Sequence, residues 1–297
     1  MAELWERLFA ISDFYVSGVP FPFERLELDS EICLKREEKK DCVACIAVKR
    51  KEPFLDNGSE QAILEIATIY ALVTGFSFRI TPLAAFSLNS LEELGKHKRG
   101  TIEVSVEGQF SEENLKKYSA KLEENWQKTR DVWKKLRTTL LDRKSLRLAL
   151  FYHYRCRLDP EVSYRQSLDE AFVDATIGLE ALLNEDSRDI TYKLAARGAL
   201  LLSFSEKHKD KDAFTLLKNY YNKRSRILHG SEREVVTQSE HMQIQEFLQV
   251  ILESCIALSL SLNRVQIIKS LDKALVSPKE REELKSAIQN GYARLGL

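Results

Sequence analysis

The sequence has few of the features that stabilise secreted proteins or anchor membrane proteins. Its 297 residues contain five cysteines, an odd and sparse set that does not fit a disulfide framework. The first residues lack the basic start and the apolar core of a signal peptide. No apolar run approaches the roughly 20 residues that a membrane-spanning helix requires. These absences predict a cytoplasmic protein without a membrane segment.

The chain also lacks a net charge. Lys and Arg together number 45, and Asp and Glu together also number 45, so the formal charge is zero. A protein held on nucleic acid mainly by bulk charge has a large basic excess, and that class is therefore disfavoured. A local basic site stays open, because net charge does not report how the charges are distributed.

Proline and glycine become scarce in the second half of the chain. Between residues 109 and 277 there is one proline, Pro160, and there are three glycines. Helix interiors exclude proline and penalise glycine, so helices are favoured in this stretch. We therefore expect a helical bundle over residues 111–297.

Several residues mark where these helices should begin. Thr237 with Glu240 forms a capping-box pattern, and Ser277 precedes a proline in the favoured first helical position. Trp126 and Trp133 lie seven residues apart on one face of a predicted helix, where we interpret them as packing residues. The expected helices include residues 145–156, residues 191–203 and a long apolar segment through residue 262.

Apolar and polar residues alternate in the first half. This period of two indicates half-buried strands, whereas residues 61–72 have the spacing of a helix. We therefore predict the α+β fold class, with a small mixed α/β domain over residues 1–110 followed by an all-α bundle. The alternation is carried by Leu26, Leu28, Ile32 and Leu34, by Phe76, Phe78 and Ile80, and by Ile102, Val104 and Val106.

The first 110 residues offer no chemistry that identifies their role. They contain no evident nucleotide-binding loop, metal cluster or nucleophile. Cys42 and Cys45 have CxxC spacing, but no second such pair follows, and their apolar neighbours favour buried strand cysteines. We predict neither a cofactor nor a metal ion, and the role of this domain stays open.

A histidine near the predicted end of a helix carries the strongest chemical signal. His229 precedes Gly230, a residue type that commonly ends helices, and Ser225 lies four residues earlier on the same face. Arg224 and Arg226 place fixed positive charge beside it. Cleavage of RNA needs a group that moves protons at the 2′-hydroxyl and cations that stabilise the phosphorane. It needs no metal, because the internal hydroxyl is already the positioned nucleophile.

The spacing of arginine and histidine does not by itself establish a site. Arg147 and His153 have a similar spacing inside a predicted apolar helix, and we interpret that second match as a coincidence. The competing interpretation of Arg224 and His229 is structural. In it, the histidine caps the carbonyl groups of a helix end and the arginine is solvated.

Three sequence blocks, taken in order, resemble a known family. Residues 221–230 read Y-x-x-R-S-x-x-x-H-G, the signature of the Apea-like branch of HEPN domains. Residues 177–183 resemble the leucine–glutamate helix of that branch, and residues 193–201 resemble its K-L-A-x-R-x-A helix. The resemblance spans roughly residues 145–265 and does not extend to residues 1–110.

The resemblance implies a helical bundle that often dimerises and that in many members is a ribonuclease of a toxin–antitoxin, phage-defence or RNA-processing system. It implies that Arg224 binds the phosphate and that His229 acts on the 2′-hydroxyl or the leaving group. Ser225 fills the polar position after the arginine. Glu180 and Arg197 also match family positions, and we interpret Glu180 as the ion-pair partner of a residue such as Arg197. The supporting set is completed by Tyr221 and Arg226.

Two functions from different classes follow. The first is a metal-independent endoribonuclease that acts on RNA as a homodimer, with Arg224 and His229 of each chain in a shared cleft and with an antitoxin or activating protein as a further partner. The second is a non-catalytic RNA-binding or dimerisation protein, in which the bundle is an inactive HEPN domain and the signature is a structural helix terminus.

Overall fold

The computed structural model divides the chain into two compact units, Met1–Lys134 and Lys135–Leu297. Side chains are described for most of the helical residues, and the strands are described by their backbone pairing. The described residues are 8–14, 25–27, 32–35, 44–49, 68–70, 72–73, 80–82, 121–141, 143–157, 167–186, 188–208, 212–229 and 235–296.

The described strands of the first unit form one antiparallel sheet. They are β1 (Leu8–Phe14), β2 (Arg25–Glu27), β3 (Ile32–Lys35), β4 (Ala44–Lys49) and β5 (Ile80–Pro82), in the order β2-β3-β4-β1-β5. The long β1–β4 ladder pairs Leu8 with Lys49 and Phe14 with Ala44, and its register shifts between Ala10 and Ser12. Such a shift is a β-bulge or a similar irregularity, which increases the local twist.

The predicted α+β fold class, with a small mixed α/β domain over residues 1–110, is wrong. Among the residues whose side chains the structure describes, 85% are helical and none lies in a strand, so that no α/β domain is evident. Among the described side chains of the first unit, the helical residues Tyr70 and Trp126 pack together, with their ring centroids 4.3 Å apart. Alternation over a few residues favours an extended backbone, but it does not establish that helices pack on the resulting strands.

Helix α1 (Leu122–Leu141) carries the two tryptophans of the predicted helix, and it buries both of them, as expected for packing residues. The predicted domain boundary after residue 110 lies outside the described residues and therefore stays a prediction.

The second unit is a helical bundle, which confirms the prediction for this part of the chain. The helices predicted over residues 145–156 and 191–203, and those that begin after Thr237 and Ser277, match described helices to within a few residues, because the capping residues and the apolar spacing are local signals. The helix over Arg264–Val276 was not predicted. The described elements are α2 (Lys144–Arg155), α3 (Leu168–Leu183), α4 (Ile190–Leu202), a 3₁₀ turn (Glu206–His208), α5 (Ala213–His229), α6 (Gln238–Ser259), α7 (Arg264–Val276) and α8 (Pro278–Leu295).

Side-chain caps begin several of these helices. The predicted capping box at Thr237 and Glu240 opens α6, and the side chain of Ser277 accepts a hydrogen bond from the backbone N–H of Glu280 at the start of α8. Two further capping boxes, at Ser167 and Asn263, open α3 and α7. Each cap satisfies N–H groups that a helix start otherwise leaves without a partner.

Helix α6 lies at the centre of the bundle. It packs against α2, α3, α4, α7 and α8, and Ile244, Phe247 and Ile251 are among its buried side chains. Within the described residues, no single helix is long and apolar enough to span a membrane, although α6 and α7 would pass that test together across a bend of 115°. Most of α6 is buried in the bundle, which accounts for its apolar composition.

Helix α5 packs closely on α4 at Gly198. A side chain there would begin 2.6 Å from Cδ1 of Leu217, the central buried residue of α5. That distance is shorter than two carbon atoms tolerate, so glycine permits the approach of the two helices. This contact fixes the helix that carries the Arg224–His229 segment.

A buried polar network joins α2 to α6. Nε of Arg157 donates to Nε2 of His153 at 3.0 Å, and Nε2 of His241 lies 3.0 Å from the carbonyl oxygen of Cys156. The same carbonyl accepts a hydrogen bond from Gln245. Burial and, to a lesser degree, the charge of Arg157 hold the pKa of His153 well below its usual value of 6.5. The neutral ring is therefore the form that fits this network.

His153 should make the stability of the protein sensitive to acid. Because its pKa is lowered only in the folded state, the unfolded chain binds the proton more readily, and stability is lost as the pH falls below 6.5. The free energy of unfolding, measured in urea, should drop between pH 6.5 and 5.5 by up to about 1 kcal/mol more in the wild type than in His153→Gln, which keeps an acceptor but cannot titrate. Equal losses in the two proteins would contradict this assignment.

Candidate functional site

The predicted signature lies on the last turns of α5. Ala213, Leu217 and Tyr220 anchor the helix with their buried side chains. The ring of Tyr220 packs edge-on against Phe172 of α3 at a centroid distance of 5.4 Å, and its hydroxyl donates a hydrogen bond to Gln243 of α6. The residues that follow Tyr220 leave the core, so the signature reaches the surface of the bundle.

Arg224 faces α3 and is held there by a carboxylate. Its Nη2 atom lies 3.4 Å from Oε2 of Glu180, and the two side chains are 21% and 29% exposed. The guanidinium carbon lies 5.4 Å from the ring centroid of Tyr221, within the range of a cation–π contact. Nε of Arg224 is buried and has no hydrogen-bond partner among the described residues.

Tyr221 lies against Arg224 and near the carboxylate of Glu180. Burial and the nearby negative charge of Glu180 raise the pKa of Tyr221, and the charge of Arg224 partly offsets that shift. The three side chains therefore form one connected group, the Glu180–Tyr221–Arg224 cluster, which joins α3 to α5.

His229 is the last helical residue of α5 and is exposed, whereas Ser225 is partly exposed. The two are four residues apart and so lie within about 40° of each other around the helix, as predicted. No hydrogen bond joins them in the described part of the chain. Arg224 and His229, five residues apart, are separated by about 140° around the same helix. Within one chain they point in different directions.

Arg197 belongs to a separate ion pair. Its Nε and Nη2 atoms donate to the two carboxylate oxygens of Asp272 at 2.7 and 2.8 Å, and Nη1 donates to the carbonyl oxygen of Leu183. The expected pairing of Glu180 with Arg197 is therefore replaced by pairing of Glu180 with Arg224. Sequence reasoning missed Asp272 because nothing local marks a residue 75 positions away as a partner.

Three further residues, Arg226, Gly230 and His153, were considered in the sequence together with Arg224 and His229. Arg226, within the signature, is exposed. Gly230, predicted to end the helix, lies outside the described residues. His153, whose spacing from Arg147 imitates the signature, is fully buried inside α2 and cannot meet a substrate there, in agreement with our interpretation of that match as a coincidence.

Lys223 is a residue that sequence reasoning did not single out. Its Nζ atom donates to both carboxylate oxygens of Glu240, at 2.8 and 2.9 Å, and to the carbonyl oxygen of Val235 at 2.9 Å. It thereby ties α5, close to its end, to the capping box that opens α6. The capping box was predicted from the sequence, but no sequence pattern indicated that Lys223 would contact it.

In the part of the chain that the structure describes, no three His, Cys, Asp or Glu side chains are grouped to hold a metal ion. Cys42 lies outside the described residues, and Cys45 lies in β4, for which only the backbone is described. The interpretation of Cys42 and Cys45 as buried strand cysteines therefore stays a prediction.

The chain matches no family model, no curated protein and no solved structure in the comparisons made. The resemblance to HEPN domains therefore rests on the three sequence blocks alone.

The Arg197–Asp272 pair should be important for stability. Asp272→Asn leaves the nearly buried guanidinium of Arg197 without its counter-charge, which should lower the free energy of unfolding by about 1–3 kcal/mol. Glu283→Gln is the control, because Glu283 pairs with Lys279 at 3.9 Å in an exposed position and should change stability by less than about 0.5 kcal/mol. Urea unfolding of both variants measures the difference, and equal stabilities would contradict the assignment.

Proposed function

We propose that this protein is a metal-independent endoribonuclease of the HEPN type that acts as a homodimer. The observation that carries the proposal is the position of the signature at the exposed end of α5. There, Arg224 supplies a fixed positive charge, and His229 supplies an accessible imidazole. The resemblance of residues 177–183, 193–201 and 221–230 to the Apea-like branch supports the same conclusion.

The chemistry requires proton transfer and charge stabilisation. His229 removes the proton of the 2′-hydroxyl, and the 2′-oxygen attacks the adjacent phosphorus. The bond from phosphorus to the 5′-oxygen breaks, the leaving oxygen takes up a proton, and a 2′,3′-cyclic phosphate remains. Arg224 stabilises the negative charge that builds up on the phosphorane. Ser225 and Arg226 flank these two groups, as a polar contact and a second positive charge.

Two chains are needed because of the direction of the side chains. Arg224 and His229 of one protomer are separated by about 140° around α5, so the same phosphate is reached more directly by Arg224 of one protomer and His229 of its partner. Exposed apolar side chains flank the end of α5 and the start of α6, at Leu228 (54%), Val235 (69%) and Met242 (47%). Apolar exposure of this kind favours contact with a second copy.

The test compares wild type, Arg224→Ala and His229→Ala on total RNA and on tRNA in the presence of EDTA. Wild type should cut and leave cyclic phosphate ends, whereas each variant should lose at least about 100-fold in rate, as expected when a charge-stabilising or proton-transferring group is removed. Arg188→Ala, at an exposed arginine outside the signature, is the matched control and should cut like wild type.

If all the variants cut alike, the activity is not that of this site. If none of the proteins cuts, the ribonuclease proposal fails for the isolated protein, and the same assay with an activating partner becomes the deciding one.

A toxin-like role, which the resemblance implies, further predicts that expression harms the host cell and that His229→Ala relieves the harm.

The second candidate is a non-catalytic RNA-binding or dimerisation protein. The contact of Arg224 with Glu180 favours it, because an arginine engaged in the protein's own ion pair also has a structural explanation. The two candidates differ in what Arg224→Ala does. In the non-catalytic protein this substitution lowers the unfolding temperature and has no cleavage to abolish, whereas in the enzyme it abolishes cleavage and leaves the fold intact.

A further inference from the structure

The two arginines of the bundle that pair with carboxylates are held very differently. Arg197 makes two short contacts with Asp272, at 2.7 and 2.8 Å, and the arginine side chain is almost fully buried although that of Asp272 is half exposed. Arg224 approaches Glu180 at 3.4 Å, and both side chains are partly exposed. Charge-assisted hydrogen bonds are about 2.7–2.9 Å long when well formed. The Arg224–Glu180 contact is therefore the weaker of the two and the easier to exchange for another anion.

Tyr221 lies beside both members of the Arg224–Glu180 pair. Its ring lies 5.4 Å from the guanidinium carbon of Arg224, and the nearby negative charge of Glu180 helps to raise the pKa of its hydroxyl. The carboxylate lies beside the arginine at 3.4 Å, without a short ion pair between them. In the free protein, this arrangement partly neutralises the cation that a phosphate would bind.

Arg224 also retains a donor that is not in use. Its Nε atom is buried and has no hydrogen-bond partner among the described residues, while Nη2 faces Glu180. Nε and Nη2 together form the edge of a guanidinium group that binds two oxygens of a phosphate at once. A phosphate could satisfy both atoms, whereas Glu180 contacts one of them.

We propose that Glu180 occupies the phosphate-binding edge of Arg224 and is displaced when RNA binds. This inference rests on the proposed function, because it assumes that Arg224 is the phosphate-binding residue. Glu180 then lowers the affinity of the site for isolated phosphate groups. A polyanionic RNA strand, which makes further contacts, supplies the free energy needed to displace it.

The test measures binding of a 20-nucleotide 2′-O-methyl RNA, which cannot be cleaved because its 2′-oxygens are blocked. Fluorescence anisotropy gives the Kd for wild type, Glu180→Gln and Glu180→Asp. Both variants should bind about two- to fivefold more tightly than wild type, the range that a partly exposed ion pair contributes. Glu180→Asp keeps the charge and moves the carboxylate back by one methylene, so it also serves if Glu180→Gln does not fold.

Two controls separate displacement from a general effect of charge. Glu283→Gln makes the same change in charge on an exposed face of α8 and should leave the Kd unchanged. In an Arg224→Ala background, Glu180→Gln should no longer tighten binding, because the cation that it frees is gone. A double-mutant cycle of Glu180 and Arg224 therefore reports the coupling directly, and unfolding temperatures show that each variant is folded.

Unchanged or weaker binding by both Glu180 variants would overturn the proposal. So would equal tightening in the presence and absence of Arg224, or the failure of every protein to bind the RNA. The result is independent of catalysis. Tighter binding by the variants, together with no cleavage of ordinary RNA, supports the displacement of Glu180 and contradicts the proposed ribonuclease activity. Cleavage of ordinary RNA, together with unchanged binding by the variants, supports the ribonuclease activity and contradicts the displacement.

Discussion

The burial of α6 is the constraint on which the rest of the bundle depends. This helix packs against α2, α3, α4, α7 and α8, and Phe247, Leu248 and Ile251 lose all contact with solvent. Each neighbouring helix must turn an apolar face towards it, so polar groups go to the surface or into hydrogen-bonded networks such as that of His153. Helix α5 packs on α3 and α4 and ends in solvent at His229. The candidate site is thus located by the packing of residues that take no part in it.

The same packing gives two similar arginines different environments. Arg197 lies where α3, α4 and α7 meet and is fixed by short contacts with Asp272, so its role is structural. Arg224 lies where α5 leaves the core and has a looser carboxylate partner together with an unused donor. A residue that exchanges its partner for a ligand is better placed at such a margin, because loss of the partner of a nearly buried guanidinium, such as that of Arg197, leaves a buried charge uncompensated.

Much of the helical half could be predicted because its signals are local. The capping box of Thr237 and Glu240 and the scarcity of proline each act over a few residues, and the structure has the helices that they indicate. The mixed α/β domain could not be established in the same way. Alternating apolar residues specify extended backbone, but which layers pack together depends on contacts between distant segments, such as Tyr70 with Trp126.

For the candidate site, the sequence by itself determined that Arg224, Ser225 and His229 share one helix and that the histidine stands at its end, because helical spacing and helix stops are local properties. Only the tertiary structure decided the partners. In the folded protein, Arg224 lies beside Glu180 and Tyr221, Arg197 pairs with Asp272, and Lys223 pairs with Glu240. Ion pairs form between residues that folding brings together, and no spacing along a helix encodes which distant carboxylate will be nearest.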